Sequence, residues 1–249
     1  MLAFNAFFDT AGTENDRHVL IAVGVVARMD DLVALEEAWR AVLSEFGVRE
    51  LHMNEYAHFK GDFVGWRDNP SRRAALLTRL IEESRPRICQ VIAQGVLLSD
   101  YRLVNSTYRL TEHVGGAYSL NQILCMRRCL SWVAGEFGAG VPMNMLVQHG
   151  DSGQREMMRF LEESNQYTPI LLGKRDTSGS RWVPLQLADL VAYEYRRLFE
   201  AQAIGKPLLP EQWRRSLQAI RRTLPVTGGI TGAAHIQEWC VDFHVPHRS

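Results

Sequence analysis

The chain has 249 residues, 46% hydrophobic and 22% charged, with 28 basic residues against 28 acidic ones and a formal net charge of zero. That length suits one large domain, or a domain with a sizeable insert, and the composition is that of a globular rather than a disordered protein. Zero net charge argues against a protein that coats nucleic acid through non-specific phosphate contacts, while leaving room for a local basic groove.

In chain order, Ala3 to Phe8 is an apolar, aromatic run that reads as a strand stopped by Asp9, with Gly12, Asn15 and Asp16 supplying a turn. The β-branched run "HVLIAVGVVA" follows as the second strand of a hairpin. Leu32, Leu35, Trp39, Val42 and Phe46 then recur at helical spacing, with an Asp start and Gly47 at the end. Glu50, in "RELHM", precedes a short strand carrying Leu51 and Met53. Residues 53–90 mix aromatics, Gly and Arg around a helix, "SRRAALLTRLIEES", stopped by Pro86, and are expected to form a helical insert over the active face. A strand "ICQVIAQGVLL" and a long apolar helix from Tyr118 to Phe137 come next.

The second half alternates again. "MNMLVQHGD" reads as a strand ending on Asp151, "SGQREMMRFLEESN" as a helix and "PILLGKRD" as a strand. "WVPLQLADLVAYEYRRLFE" reads as a helix with Pro184 tolerated in its first turn. Residues 205–249 are expected to be a basic helix, "PEQWRRSLQAIRRTL", and a Gly-rich tail. Alternating strands and helices imply an α/β domain, a mixed sheet covered by helices, with ligands gathered at the strand ends. The expectation is a single domain over residues 1–249.

The four cysteines form no CxxC pair, and Cys125 and Cys129 share one face of the long helix, so all four read as reduced. No basic leader opens the chain, and the longest apolar run, Val19 to Ala27, is far short of a membrane span. The expectation is a cytoplasmic protein.

Four acids stand out. Asp9 and Asp151 each close an apolar strand before a turn, Asp189 sits in "LQLADLVA" among Leu187, Ala188, Leu190 and Val191, and Glu50 flanks the expected short strand. A charge in such company needs a partner. Acids converging from separate strand ends and a late helix would suit magnesium, whose hard oxygen ligands are completed by water and phosphate. Each has a plainer reading: a strand-end Asp caps a turn, and Asp189 is held by Arg196 or by a neighbour from another element. His149 and His52 lie close enough to Asp151 and Glu50 to be supporting donors or extra ligands, although a structural histidine is the commoner case. Arg-Arg pairs at 72–73, 127–128, 196–197, 214–215 and 221–222 read as solvated helix faces. "GDSG" and "GAAH" occur in the reverse of the chymotrypsin-like order, and no zinc-finger, P-loop or dinucleotide fingerprint is present.

The order strand–"DTAG"–strand, "ELH", strand–"D", "LQLADL" resembles the domain of unknown function (DUF) 3800 family, whose members read "DESG", "ElH", "D" and "QlADl" in that order. The resemblance runs from Phe4 to about Arg197. It implies an RNase H-like fold, with Asp9, Glu50, Asp151 and Asp189 at the family's acidic positions as catalytic residues and ligands of Mg2+ or Mn2+. The implied activity is phosphodiester cleavage of DNA or RNA by metal-activated water. The chain departs from the pattern where Thr10 replaces the Glu and Ala11 the Ser of "DESG". A second reading is therefore a catalytically lapsed module that binds nucleic acid or a protein partner. A third, suited by zero net charge, is a hydrolase of small phosphorylated molecules.

Overall fold

The β-branched density of Val19–Arg28 (β2) buries nine consecutive residues, so this strand runs through the middle of the sheet. The computed structural model describes residues 2–12, 18–150, 153–164, 167, 169–173, 175–177 and 179–248. Within them Phe4–Ala11 (β1) pairs antiparallel with β2, from Phe4 opposite Arg28 to Ala11 opposite Ile21. Gln90–Leu97 (β3) pairs antiparallel with the other edge of β2. Met143–Gln148 (β4) lies parallel to β1, Ile170–Leu172 (β5) parallel to β4, and Val226–Thr231 (β6) parallel to β3. The order is β5-β4-β1-β2-β3-β6. An antiparallel meander, extended beyond β1 by two parallel strands and covered on both faces, is an RNase H-like mixed sheet.

Alternation along the strands sorts residues between two cores. Val19, Ile21, Val23, Val25 and Ala27 of β2 face a layer of Leu32–Glu45 (α1), Met53–His58 (α2), Pro70–Ser84 (α3), Val183–Ala203 (α8) and Arg215–Thr223 (α9). Leu20, Ala22 and Val26 face Leu98–Thr107 (α4), Leu110–Val114 (α5), Ala117–Phe137 (α6), Gln154–Glu163 (α7) and Ala233–Asp242 (α10). Each wholly buried large side chain, Trp39, Leu35 or Leu76 on the first face, contributes about 1.5–3 kcal/mol. All four cysteines are free thiols, and Cys125 and Cys129 are buried together on α6. Among the described residues no helix is long and apolar enough to cross a membrane.

Several boundaries differ from expectation. β1 does not stop at Asp9: pairing with β2 continues through Thr10 and Ala11, because Ala22 and Ile21 still offer a ladder there. β4 ends at Gln148, so the expected strand end at Asp151 lies three residues beyond the sheet and outside the described residues. The expected strand after Glu50 is helical from Met53 onward. Its alternation over three residues was too short to fix a period. The basic helix starts only at Arg215, after a separate 3-10 turn over Pro210–Gln212. The Gly-rich tail is strand β6 followed by helix α10.

Candidate acidic site and its arginine-lined cavity

Pro184 in the first turn of α8 starts that helix across β1. Leu185 is buried there against Phe7. Asp9 lies two residues past Phe7 on the same face of β1, and Asp189 lies one turn past Leu185. Both steps advance roughly 6–7 Å. Thr10 and Ala11 line one cavity together with Asp189 and Tyr193, so strand and helix advance in the same sense. Asp9 and Asp189 therefore lie toward the same end of the α8–β1 interface. β4 is parallel to β1, with Phe8 opposite Val147, so the chain leaving Gln148 emerges at this same end of the sheet. Asp151 follows three residues later, outside the described residues.

Asp189 is four-fifths buried, and its partners explain how the charge is tolerated. Oδ2 accepts from the Met53 backbone N–H at 3.0 Å and from Arg181 Nη1 at 3.1 Å. Arg196, the sequence-based candidate, is instead bonded to Glu200 at 2.8 Å. Glu50 is paired with arginine. Its Oε1 and Oε2 accept from Arg175 Nη2 at 3.2 Å and Nη1 at 2.9 Å, and Oε2 also accepts from the Arg181 backbone N–H at 3.1 Å. Glu50 thus fixes the backbone of the residue whose side chain neutralises Asp189.

One residue ties these parts together. Gln186 Oε1 accepts from Trp39 Nε1 at 3.1 Å and from the Leu51 N–H at 2.7 Å, while its Nε2 donates to the Arg181 carbonyl at 2.8 Å. Gln186, Arg181 and Arg175 escaped the sequence reading. The available signal was a polar residue in an apolar helix, three positions before Asp189. Neither histidine joins the site: His52 is directed at Glu55, 3.9 Å away, and His149 lines a separate cavity with Arg155 and Glu162.

Among the described residues no three His, Cys, Asp or Glu side chains group closely enough to hold a metal ion. Glu50 and Asp189 are each paired with an arginine in this structure. Magnesium is commonly held by one or two carboxylates, with water and phosphate completing the shell. Asp9 and Asp189 supply such a pair of hard oxygen donors. Beside them opens a cavity of about 580 Å³ lined by Asn54, His58, Tyr193, Arg196, Arg197 and Arg214. Thr10 lines this cavity, and its buried hydroxyl has no hydrogen-bond partner among the described residues.

No model of a known family matches the chain, and no curated protein does. Solved structures do. A chain of the PCNA:RNase HII complex from Archaeoglobus fulgidus aligns at 15% identity over 98% of this chain and 91% of its own, with a TM-score of 0.40. Bst-RNase HIII in complex with Mn2+ aligns at 10% identity with a TM-score of 0.44, and this chain spans 60% of its length. Ribonuclease H2 from Pyrococcus horikoshii OT3 aligns at 13% identity over 88% of this chain and 96% of its own, with a TM-score of 0.40. These are likenesses of general architecture, and the fold class rests on the strand order and directions given above.

Proposed function

We propose that the chain is a DUF3800-type phosphodiesterase that cleaves nucleic acid with Mg2+ or Mn2+, the ion being held by Asp9 and Asp189 and joined by Asp151. The observation that supports this reading is Asp189 on the wall of a cavity lined by Arg196, Arg197 and Arg214, with Thr10 and Ala11, the residues that follow Asp9 on β1, on the same wall. When bound, the ion supplies a water acidic enough to attack phosphorus at neutral pH. The chain's own groups do the rest. The Met53 N–H fixes the orientation of the Asp189 carboxylate. Arg181 neutralises that carboxylate until a cation takes its place, and Glu50 and Gln186 hold Arg181 ready. Arg197 and Arg214, across the cavity, meet the charge of the substrate phosphates.

Cleavage of a labelled oligonucleotide should require Mn2+ or Mg2+ and disappear in Asp9→Asn and Asp189→Asn, with both variants folded by circular dichroism. Metal-dependent cleavage that persists in both variants at the wild-type rate would overturn the assignment. The lapsed-module reading draws on Thr10 and on the commitment of Glu50 to Arg175. On that reading the wild type binds nucleic acid without cutting it, and Thr10→Glu restores a trace of cleavage.

A further inference from the structure

The cavity beside Asp189 continues. A second hollow of about 310 Å³ shares Tyr193 and Arg214 with it, and a third of about 510 Å³ shares Ala74, Thr78 and Arg215 with the second. Together they form a trough from the acidic site, between α2–α3 on one side and α8–α9 on the other, as far as Arg222. Six arginines and four acids line it, in a protein of zero net charge. One of those acids, Glu200, is already paired with Arg196. The pairs Arg196–Arg197 and Arg214–Arg215, with Arg73 and Arg222 from two more, which read as solvated faces in the sequence, are brought here by the fold.

Two residues that line the middle hollow, Glu194 and Arg73, each carry a buried polar atom with no hydrogen-bond partner among the described residues. Glu194, on α8, is 3% exposed. Its Oε1 accepts from Ser216 Oγ at 2.7 Å and lies 3.8 Å from Arg214 Nη1, while its buried Oε2 has no partner among the described residues. Burial pushes the Glu194 carboxyl above the usual range, against the opposing pull of Ser216 and Arg214. Arg73, across the hollow, stacks on the rings of Tyr56 and Phe59, and its buried Nε likewise has no partner among the described residues. A buried acceptor and a buried donor are each costly to leave unmet. Both are met by one planar edge that gives a hydrogen to the carboxylate and accepts one from the guanidinium. Cytosine has such an edge, through its amino group and ring acceptors, and a volume near 300 Å³ admits a single base unit.

We propose that this trough is the track for a single strand of nucleic acid entering the acidic site, with one amino-bearing base seated in the middle hollow against Glu194 and Arg73. Phosphates on the far side of that base lie on Arg215 and Arg222. Charge carries the strand and is read at the arginines; the base contact supplies selectivity. This deepens the nuclease reading, and it is tested in chelator, where binding is measured without cleavage.

Fluorescence anisotropy with labelled oligodeoxycytidine and oligodeoxythymidine of equal length, titrated across salt, gives the readout. The wild type should prefer the cytidine strand by about tenfold, as one good base contact allows. Glu194→Gln, which keeps the shape and the Ser216 bond, should erase that preference and leave the salt dependence intact. Arg73→Gln should do the same from the opposite wall. Arg215→Ala with Arg222→Ala should weaken both strands equally and lower the log–log salt slope by about 1.4, two single-strand phosphate contacts. An unchanged preference in both Glu194→Gln and Arg73→Gln, an unchanged slope, or no binding at low salt would overturn the proposal. So would free deoxycytidine monophosphate binding as tightly as the strand, or duplex binding equally well. Strand binding with these signatures in a protein that cuts nothing would count against the nuclease reading alone.

Discussion

At Gln186 a single buried amide meets Trp39 of α1, the Leu51 N–H beside Glu50, and the Arg181 carbonyl ahead of α8. Leucine would fill the same space and leave all three groups unpaired in an apolar setting. At about 1–3 kcal/mol for each orphaned group, Gln186→Leu should destabilise the fold by about 3–5 kcal/mol, read from the urea midpoint. The same variant should weaken metal binding, because Arg181 and the Met53 N–H both reach Asp189 from segments that Gln186 anchors. A loss under about 1 kcal/mol would show that water takes over these bonds. Asp189 was legible in the sequence for the reason Gln186 was not. An acid among leucines breaks the pattern sharply, whereas a neutral amide in a helix is common and its three partners lie 135 to 147 residues away or on the next loop. Glu50 shows the other limit. Its position near the site was readable, but its engagement with Arg175 and Arg181 depends on a loop whose course no local spacing encodes.

At the scale of elements, the periodic segments were readable from the sequence and the glycine-rich ones were not. The alternation of β2 between two cores and the apolar length of α6 and α8 name their structures directly. β6, "VTGGIT", is interrupted by two glycines and takes its conformation from β3, which it joins in parallel. Gly228 shows why glycine is there. A Cβ at that position would stand 2.6 Å from the Ala93 carbonyl oxygen and 3.1 Å from the Ala93 Cβ. Those neighbours belong to a buried central strand and cannot swing aside, so β6 must shift. Gly228→Ala should lower stability by about 1–3 kcal/mol and speed hydrogen exchange at Val226–Thr231 ahead of the rest of the sheet. Global loss without faster local exchange would mean that β6 unfolds only with the whole domain. A neutral effect would mean that the two strands do not approach as closely as this register places them.

For the molecule as a whole, the proposed metal site makes a divalent ion and the Arg181 guanidinium alternatives at Asp189. The folded protein holds the Asp189 carboxylate at the α8–β1 interface, and Arg181 offsets it. An ion that binds there binds the folded state and not the open chain, so it raises the melting temperature by mass action. At a concentration near a hundred times its dissociation constant the gain is about 2.7 kcal/mol. For a chain of this size that is a rise of roughly 5–10 °C. Asp9→Asn and Asp189→Asn should each lose most of the rise, and Asp151→Asn should do the same if that residue completes the shell. Glu50→Gln distinguishes a ligand from an anchor. With both Glu50 oxygens on arginine N–H groups, the substitution should lower the starting stability and leave most of the Mn2+ shift in place. Arg181→Ala should start lower still, since it leaves Asp189 a buried charge with only the Met53 N–H for company among the described residues, and should show a larger shift than wild type. Calorimetric scans with and without Mn2+ on these five variants therefore form a pattern: three losses, one near-wild-type shift and one enlarged shift. A shift that vanishes in Glu50→Gln would return Glu50 to the ligand set, and a reduced shift in Arg181→Ala would mean that the arginine organises the carboxylate instead of competing for it.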